Sequence, residues 1–293
     1  QRKITFEPLL VTGNNLYCKV DLFMKPNENT ERLHDMTQLI KRMSAFLLCL
    51  MLLMGAFTET ALAAPDWPSG VSVQAESGIV IDADTGTVLW GQNIHNQYFP
   101  ASITKIMTAL IVIEKCSLDE TVTFSHNAVF NVEAGSSNAG INEGDKLSVK
   151  DCLYALLLKS ANESANALAE HVAGSTEAFA DMMNAKAKEL GCTDTHFANP
   201  SGLNNPEHYT STYDMALIAR AAFLNPTFEE IDSTTYYKLP PNSINPEGLT
   251  IYPGHKMLKK STPYYYPGIV GGKTGYTTLA GNTLVTCAKK NGL

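Results

Sequence analysis

The sequence predicts an α/β domain of the α+β kind, with one sheet built from both ends of the chain and a helical region inserted between them. Strand-like text occurs at residues 77–93 and again beyond residue 236, while the intervening stretch is dominated by apolar positions at helical spacing. With 293 residues, 44% of them hydrophobic and 17% charged, the chain is long and apolar enough to bury such a core.

Ahead of the domain, Lys41 and Arg42 precede the apolar run 46–57 (FLLCLMLLMGAF), then Thr58-Glu59-Thr60 and Ala61-Leu62-Ala63-Ala64. A basic start, a short apolar stretch and an A-x-A site read as a secretory signal peptide over residues 36–64. The apolar run falls short of the roughly 20 residues that span a bilayer, which disfavours a transmembrane anchor. The chain opens with Gln1, whereas Met36 begins a well-formed export signal. Residues 1–35 are therefore expected to be upstream or artefactual sequence, residues 65–75 a linker, and residues 76–293 the domain itself. Its expected location is extracytoplasmic.

Within the domain, Ile79-Val80-Ile81 and Val88-Leu89-Trp90 flank Asp84-Thr85-Gly86, a β-hairpin signal. Pro100 then opens a helix with Ile103, Ile106, Met107, Leu110 and Ile111 on one spacing. Residues 151–159 and 163–172 read as helices broken at Ser160-Ala161-Asn162, with Gly174 after the second. Residues 176–190 form another, ended by Gly191. Ser211-Thr212-Tyr213-Asp214 resembles a capping box before the next helix. Strands are expected at 236–239, 268–271 and 282–285.

A net charge of −7 argues against a nucleic-acid surface. The seven His and six Cys show neither HExxH nor CxxC, so no metal or other cofactor is expected. Export permits disulfides among Cys116, Cys152, Cys192 and Cys287, but their wide spacing favours buried free thiols.

Three short motifs carry chemistry: Ser102-Ile103-Thr104-Lys105, Ser160-Ala161-Asn162 and Lys273-Thr274-Gly275. Ser102 and Lys105 stand one turn apart at a helix start, which lets the amine reach the hydroxyl. The N–H of Ser102, in the first turn, has no intrahelical partner and can donate to an oxyanion. To act as a base Lys105 must be neutral, which requires burial and a second cation nearby. Lys273 is the candidate for that cation.

The text around the motifs, FPASITKIMTALIVIE (99–114), LLLKSANESANALAE (156–170), NPSGLNNPEHYTSTYDMALIA (199–219) and GIVGGKTGYTTLAGNTLV (268–285), closely resembles the serine-type D-alanyl-D-alanine carboxypeptidases. These are the low-molecular-mass penicillin-binding proteins, and the resemblance runs over residues 76–293 with all three motifs in register. It implies a β-lactamase/transpeptidase-like fold, an antiparallel sheet flanked by helices. It also implies that Ser102 attacks the carbonyl between the two terminal D-alanines of a peptidoglycan pentapeptide stem, while Lys105 takes its proton. Ser160 and Lys273 would relay a proton to the leaving D-alanine, and Asn162 would hold the substrate amide and Lys105. Thr274 would meet the terminal carboxylate, with Lys273 adding charge. The N–H groups of Ser102 and Tyr276 would form the oxyanion hole, and Gly275 would let the strand lie close to the bound peptide. β-Lactam antibiotics would acylate Ser102 as inhibitors.

Other residues attract plainer readings. His208 and Asp214 are expected to cap or pack, Glu163 to occupy the first turn of its helix, and Tyr264-Tyr265-Tyr266 to form a packed loop. A class A β-lactamase is the nearest rival, but no Glu-led motif stands between Asn162 and Lys273. A D,D-endopeptidase remains open on the motifs. A non-catalytic β-lactam sensor or cell-wall-binding domain is disfavoured by intact Ser102, Lys105 and Lys273. The resemblance further implies a strand and helix beyond Leu293, so the domain is expected to be truncated. Membrane association would then come only through a C-terminal region absent from this chain.

Overall fold

A computed structural model describes residues 36–44, 46 and 73–290. The chain divides into two units, Gln1–Ala64 and Pro65–Leu293. In the first, residues 36–44 and 46 are helical and exposed. The expected upstream segment 1–35, most of the apolar run, the cleavage site and residues 65–72 of the linker lie outside the described residues. Among the described residues no helix is long and apolar enough to cross a membrane.

The second unit opens with the hairpin β1 (Gly78–Ile81) and β2 (Val88–Gln92), where the sequence placed it. Its turn is held by Asp82, whose carboxylate accepts the Thr85 N–H at 2.7 Å, and by Gly86 at φ 79°. One 3-10 turn, Ala101–Thr104, then leads into α1 (Lys105–Lys115). Residues 105–112 of α1 are buried on every face, so this helix forms the centre of the core. Around it stand β3 (Thr121–Thr123), α2 (His126–Phe130), β4 (Lys146–Ser148), α3 (Val149–Leu158), α4 (Asn162–Ala173), α5 (Thr176–Glu189) and α6 (Thr212–Phe223). Leu153, Leu156, Leu168, Phe179, Met183 and Ile218 fill the space between these helices and α1. The chain ends with α7 (Pro226–Asp232), β5 (Tyr237–Leu239), β6 (Leu249–Ile251), β7 (Ile269–Thr277) and β8 (Gly281–Ala288).

Local chemistry sets the helix boundaries. Ser148 and Asp151 form a reciprocal capping box on α3, Ser175 caps α5, and Asn225 caps α7 ahead of Pro226. Gly174 ends α4 at φ 83°, the left-handed position that favours glycine. Ser211 caps α6 as expected, but Asp214 does not reciprocate. Its buried carboxylate instead accepts the N–H groups of Thr193 and Asp194 and the Thr195 hydroxyl, which closes the turn after α5.

Among the described residues, the single sheet expected from both chain ends is not joined by hydrogen bonds. The described strands pair as four separate antiparallel ladders, β1–β2, β3–β4, β5–β6 and β7–β8. Both β1 and β8 lie against α6, yet no register of hydrogen bonds joins them. In the outer two ladders each strand meets its partner across a short local turn. The three-residue connection 278–280, with Gly281 at φ 65°, suffices to close β7–β8. Strand β5 lies where it was expected, but β3, β4 and β6 were not anticipated, because three-residue strands are too short to display a period of two. All four cysteines of the domain are free thiols, but only Cys152 is fully buried. Nor do Tyr264, Tyr265 and Tyr266 form a packed loop. All three are exposed, with Lys256 over the first ring and Lys290 over the third.

Candidate active site

The helical body and the β7–β8 ladder meet at the three motifs. Ser102 lies in the 3-10 turn, so its N–H has no partner within that turn. The preceding Ala101 is held at φ 52°, which aims the turn toward β7. One turn on, the fully buried Lys105 directs its Nζ at three oxygens: Ser102 Oγ at 3.2 Å, Asn162 Oδ1 at 2.7 Å and the Ser201 carbonyl at 2.5 Å. Burial holds the Lys105 amine well below the usual lysine range. The Lys273 cation pushes it further down, and the Glu163 carboxylate opposes both.

The break between α3 and α4 supplies the second motif. Ser160 adopts φ 62°, a left-handed conformation costly for serine, and its Oγ accepts from Lys273 Nζ at 3.0 Å. Asn162 is the first residue of α4 rather than its cap. Its N–H donates to the Ser137 carbonyl, which frees the side chain for Lys105.

Lys273 is buried in the middle of β7, opposite Val285 of β8, and its Nζ also reaches the Thr274 carbonyl at 2.7 Å. Burial pulls this lysine down to about 8, against the raising effect of Asp232. Gly275 lies flat on the nucleophile turn. A Cβ there would stand 2.8 Å from the Ser102 nitrogen and 2.4 Å from Thr283 Oγ1. Thr283 in turn donates its hydroxyl to the Pro100 carbonyl at 2.8 Å and fastens β8 beside the turn. Strand alternation puts Thr274 and Tyr276 on the face opposite Lys273 and Gly275. The Thr274 hydroxyl lies beside Gly254, and the Tyr276 side chain is exposed.

The structure thus brings Ser102, Lys105, Ser160, Asn162, Lys273 and Gly275 together, while the side chains of Thr274 and Tyr276 lie on the other face of β7. Sequence reasoning missed three supports. The Asn199 side chain accepts from Ser201 N–H, Ser201 hydroxyl and Gly202 N–H, an Asx turn that aims the Ser201 carbonyl at Lys105. The NPSG text at 199–202 carried that turn signal. Asp232, buried behind β7, accepts the Gly272 N–H at 2.6 Å and is pushed up to about 7 by burial. His255 binds the Thr286 hydroxyl behind the same strand. Neither Asp232 nor His255 belongs to a recognisable spacing.

The plainer readings of Glu163 and His208 fit the structure. Glu163 stands in the first turn of α4, buried, and accepts the Ala139 N–H at 2.6 Å. His208 is buried with Nδ1 accepting the Ala198 N–H, so its Nε2 carries the proton and donates to Thr104.

Chemically, the cluster offers a hydroxyl beside a desolvated amine, a second amine linked to a second hydroxyl, and backbone donors at a helix start. This suits nucleophilic attack on a carbonyl.

Known proteins resemble this chain in sequence and fold. The profile of the D-alanyl-D-alanine carboxypeptidase family, Peptidase S11, matches residues 59–293. The D-alanyl-D-alanine carboxypeptidase DacF of Bacillus subtilis is 34% identical over 258 residues, covering 86% of this chain and 63% of the relative. DacB2 of Mycobacterium tuberculosis is 35% identical over 78% of this chain and 73% of its own length. Among solved structures, a D-alanyl-D-alanine carboxypeptidase from M. tuberculosis superposes with a TM-score of 0.69 at 33% identity, covering 77% of this chain and 83% of that one. A variant of a Streptomyces DD-transpeptidase reaches 0.70 at 30% identity, covering 76% and 88%. These neighbours share the transpeptidase-like α/β fold, and the chain spans just under two thirds of the length of the Bacillus relative. With the family profile covering most of its length, the chain belongs to the D-alanyl-D-alanine carboxypeptidase family, Peptidase S11.

Proposed function

We propose that the protein is a serine-type carboxypeptidase that removes the terminal D-alanine from peptidoglycan stem peptides through an acyl-Ser102 intermediate. The observation that carries this reading is the buried Lys105 amine within hydrogen-bond reach of Ser102 Oγ, its proton affinity lowered by burial and by Lys273. Neutral Lys105 takes the Ser102 proton as Oγ attacks the penultimate carbonyl carbon. The oxyanion is met by the N–H groups of Ser102 and Tyr276, a pairing supported by the close approach of Gly275 to the Ser102 nitrogen. The tetrahedral adduct collapses and breaks the C–N bond. The leaving amine takes a proton through Ser160, which Lys273 replenishes. Asn162 orients the substrate amide, and Thr274 with Lys273 receives the terminal carboxylate. The proton held on Lys105 makes good the one lost by Lys273, which leaves Lys105 neutral again. Lys105 then takes a proton from the water that attacks the ester, and returns it to Ser102 Oγ as the ester C–O bond breaks.

The signal-like text at 36–64 supports export to the side of the membrane where peptidoglycan lies. Likeness to a DD-transpeptidase favours a second acceptor, in which an amine rather than water resolves the acyl-enzyme.

The test uses a fluorescent penicillin and a diacyl-L-Lys-D-Ala-D-Ala peptide. Labelling and D-alanine release are expected from the wild type, and both should vanish in Ser102→Ala. Labelling that survives the substitution refutes the nucleophile. Rapid catalytic turnover of nitrocefin refutes the carboxypeptidase in favour of a β-lactamase.

A further inference from the structure

At the end of α1 remote from Ser102, three metal-ligating side chains converge from three separate places. Cys116 is the C-cap of α1, Glu120 closes the turn that follows, and His171 lies in the last turn of α4. One ligand atom from each falls within 4.8 Å of the other two. We propose that Cys116 Sγ, a Glu120 carboxylate oxygen and His171 Nε2 form a site for one zinc(II) ion, which ties the C-terminal end of α1 to that of α4.

Several features make this a built arrangement. The Glu120 carboxylate is already fixed, because one oxygen accepts the Ser117 N–H at 2.6 Å and the other faces His171 Nε2 at 2.9 Å. The loop beneath is anchored as well. The Glu120 carbonyl accepts from Val149 and the Leu118 carbonyl from Lys150, which fastens the turn to the start of α3. Cys116 and His171 are half-buried, so an ion there would keep an open side for a water. One sulfur, one imidazole and one carboxylate match the mixed preferences of zinc, and thiolate plus carboxylate balance its charge. Zinc–ligand bonds of about 2.0–2.3 Å put tetrahedral ligands about 3.3–3.8 Å apart. The present atoms lie within 4.8 Å of one another, so the side chains would shift to this spacing on binding. Binding would expel the thiol proton, which burial and Glu120 otherwise hold in place. No sequence motif announces the site, since His171 lies 51 residues from Glu120.

The clamp has a structural consequence. The opposite ends of α1 and α4 carry Lys105 and Asn162, which hydrogen-bond to each other. An ion at the far end would fix both helices relative to one another without touching the reacting atoms.

Cobalt(II) and zinc(II) titrations of the reduced, chelator-treated full chain test the proposal. One equivalent of cobalt should bind with a thiolate charge-transfer band and tetrahedral visible bands, and zinc should displace it. Cys116→Ser should abolish the charge-transfer band, and His171→Ala should weaken zinc at least about tenfold. Zinc should raise the melting temperature of the wild type and leave that of both variants unchanged. A Cys192→Ser control should behave like the wild type. If Cys116→Ser fails to fold, Glu120→Gln and His171→Ala carry the test on the same band. Absence of the band in the folded wild type, or affinity unchanged in His171→Ala and Glu120→Gln, overturns the site.

Discussion

Ser160 bears two demands that pull against each other. Its hydroxyl must face Lys273, and to do so the backbone sits at φ 62°, where a serine costs about 1 kcal/mol or more. Ser160→Gly should therefore leave stability unchanged or raise it by up to about 1 kcal/mol, as read by urea midpoint, while D-alanine release falls about a hundredfold. A variant that keeps full activity would remove Ser160 from the proton relay. Asp232 shapes the same relay from behind β7. Its carboxylate raises the proton affinity of Lys273, which burial has pulled down to about 8. Asp232→Asn keeps an acceptor for the Gly272 N–H but removes the charge, so Lys273 should lose its proton at lower pH. The alkaline limb of kcat/KM, set by deprotonation of Lys273, should then move to lower pH with the acidic limb little changed. A limb that stays in place would detach Asp232 from catalysis.

At the level of elements, what the sequence disclosed follows from how each element is encoded. Helices α1 and α3 to α6 were legible because their apolar spacing runs for two or more turns, with serine caps on α3, α5 and α6 and a glycine after α4 and α5. The ladders β3–β4 and β5–β6 pair three-residue strands across longer connections, 124–145 and 240–248, which leaves little local pattern. The motif residues were legible for the opposite reason, since the chemistry proposed for them belongs to their own side chains. Ser201 and Asp232 act through a backbone carbonyl and a backbone N–H, which side-chain identity does not report. His208 binds two such elements, joining the 196–211 segment to the start of α1 through Ala198 and Thr104. Burial lowers its proton affinity from 6.5 to about 4. The unfolded chain binds this proton more readily, so the contribution to stability is complete above pH 6.5 and drains away as pH falls toward 4. The loss is roughly 3 kcal/mol. Urea midpoints between pH 7 and 4 should show this slope, and His208→Gln should flatten it. An unchanged slope would place the acid sensitivity elsewhere.

Across the whole molecule, the site is assembled from a helical body that carries Ser102, Lys105, Ser160 and Asn162 and a two-strand ladder that carries Lys273, Thr274 and Gly275. Among the described residues that ladder pairs only with itself, and two-stranded ladders hold weakly unless fastened to something else. Its fastenings are specific: Thr283 to the Pro100 carbonyl, Gly272 to Asp232 and Lys273 to Ser160. Local opening of β7–β8 should therefore cost less than opening α1 or α3, which form the buried centre. Amide hydrogen exchange should show faster exchange in 269–288 than in 105–112. Benzylpenicillin gives this hierarchy a direct test, because in the proposed mechanism its acyl group would be bound covalently to Ser102 while its carboxylate would meet Lys273 and Thr274. The adduct would become an additional fastening between body and ladder, made only in the closed form, and so would shift the opening equilibrium toward closure. Exchange in β7–β8 should slow about tenfold, corresponding to about 1.4 kcal/mol, while β1–β2, which shares no register with β7–β8, stays unchanged. Equal slowing in both ladders would mean that they open as one unit despite their separate pairing. No slowing in β7–β8 would mean that the ligand is held by the helical body alone, and that Lys273-Thr274-Gly275 does not receive the carboxylate.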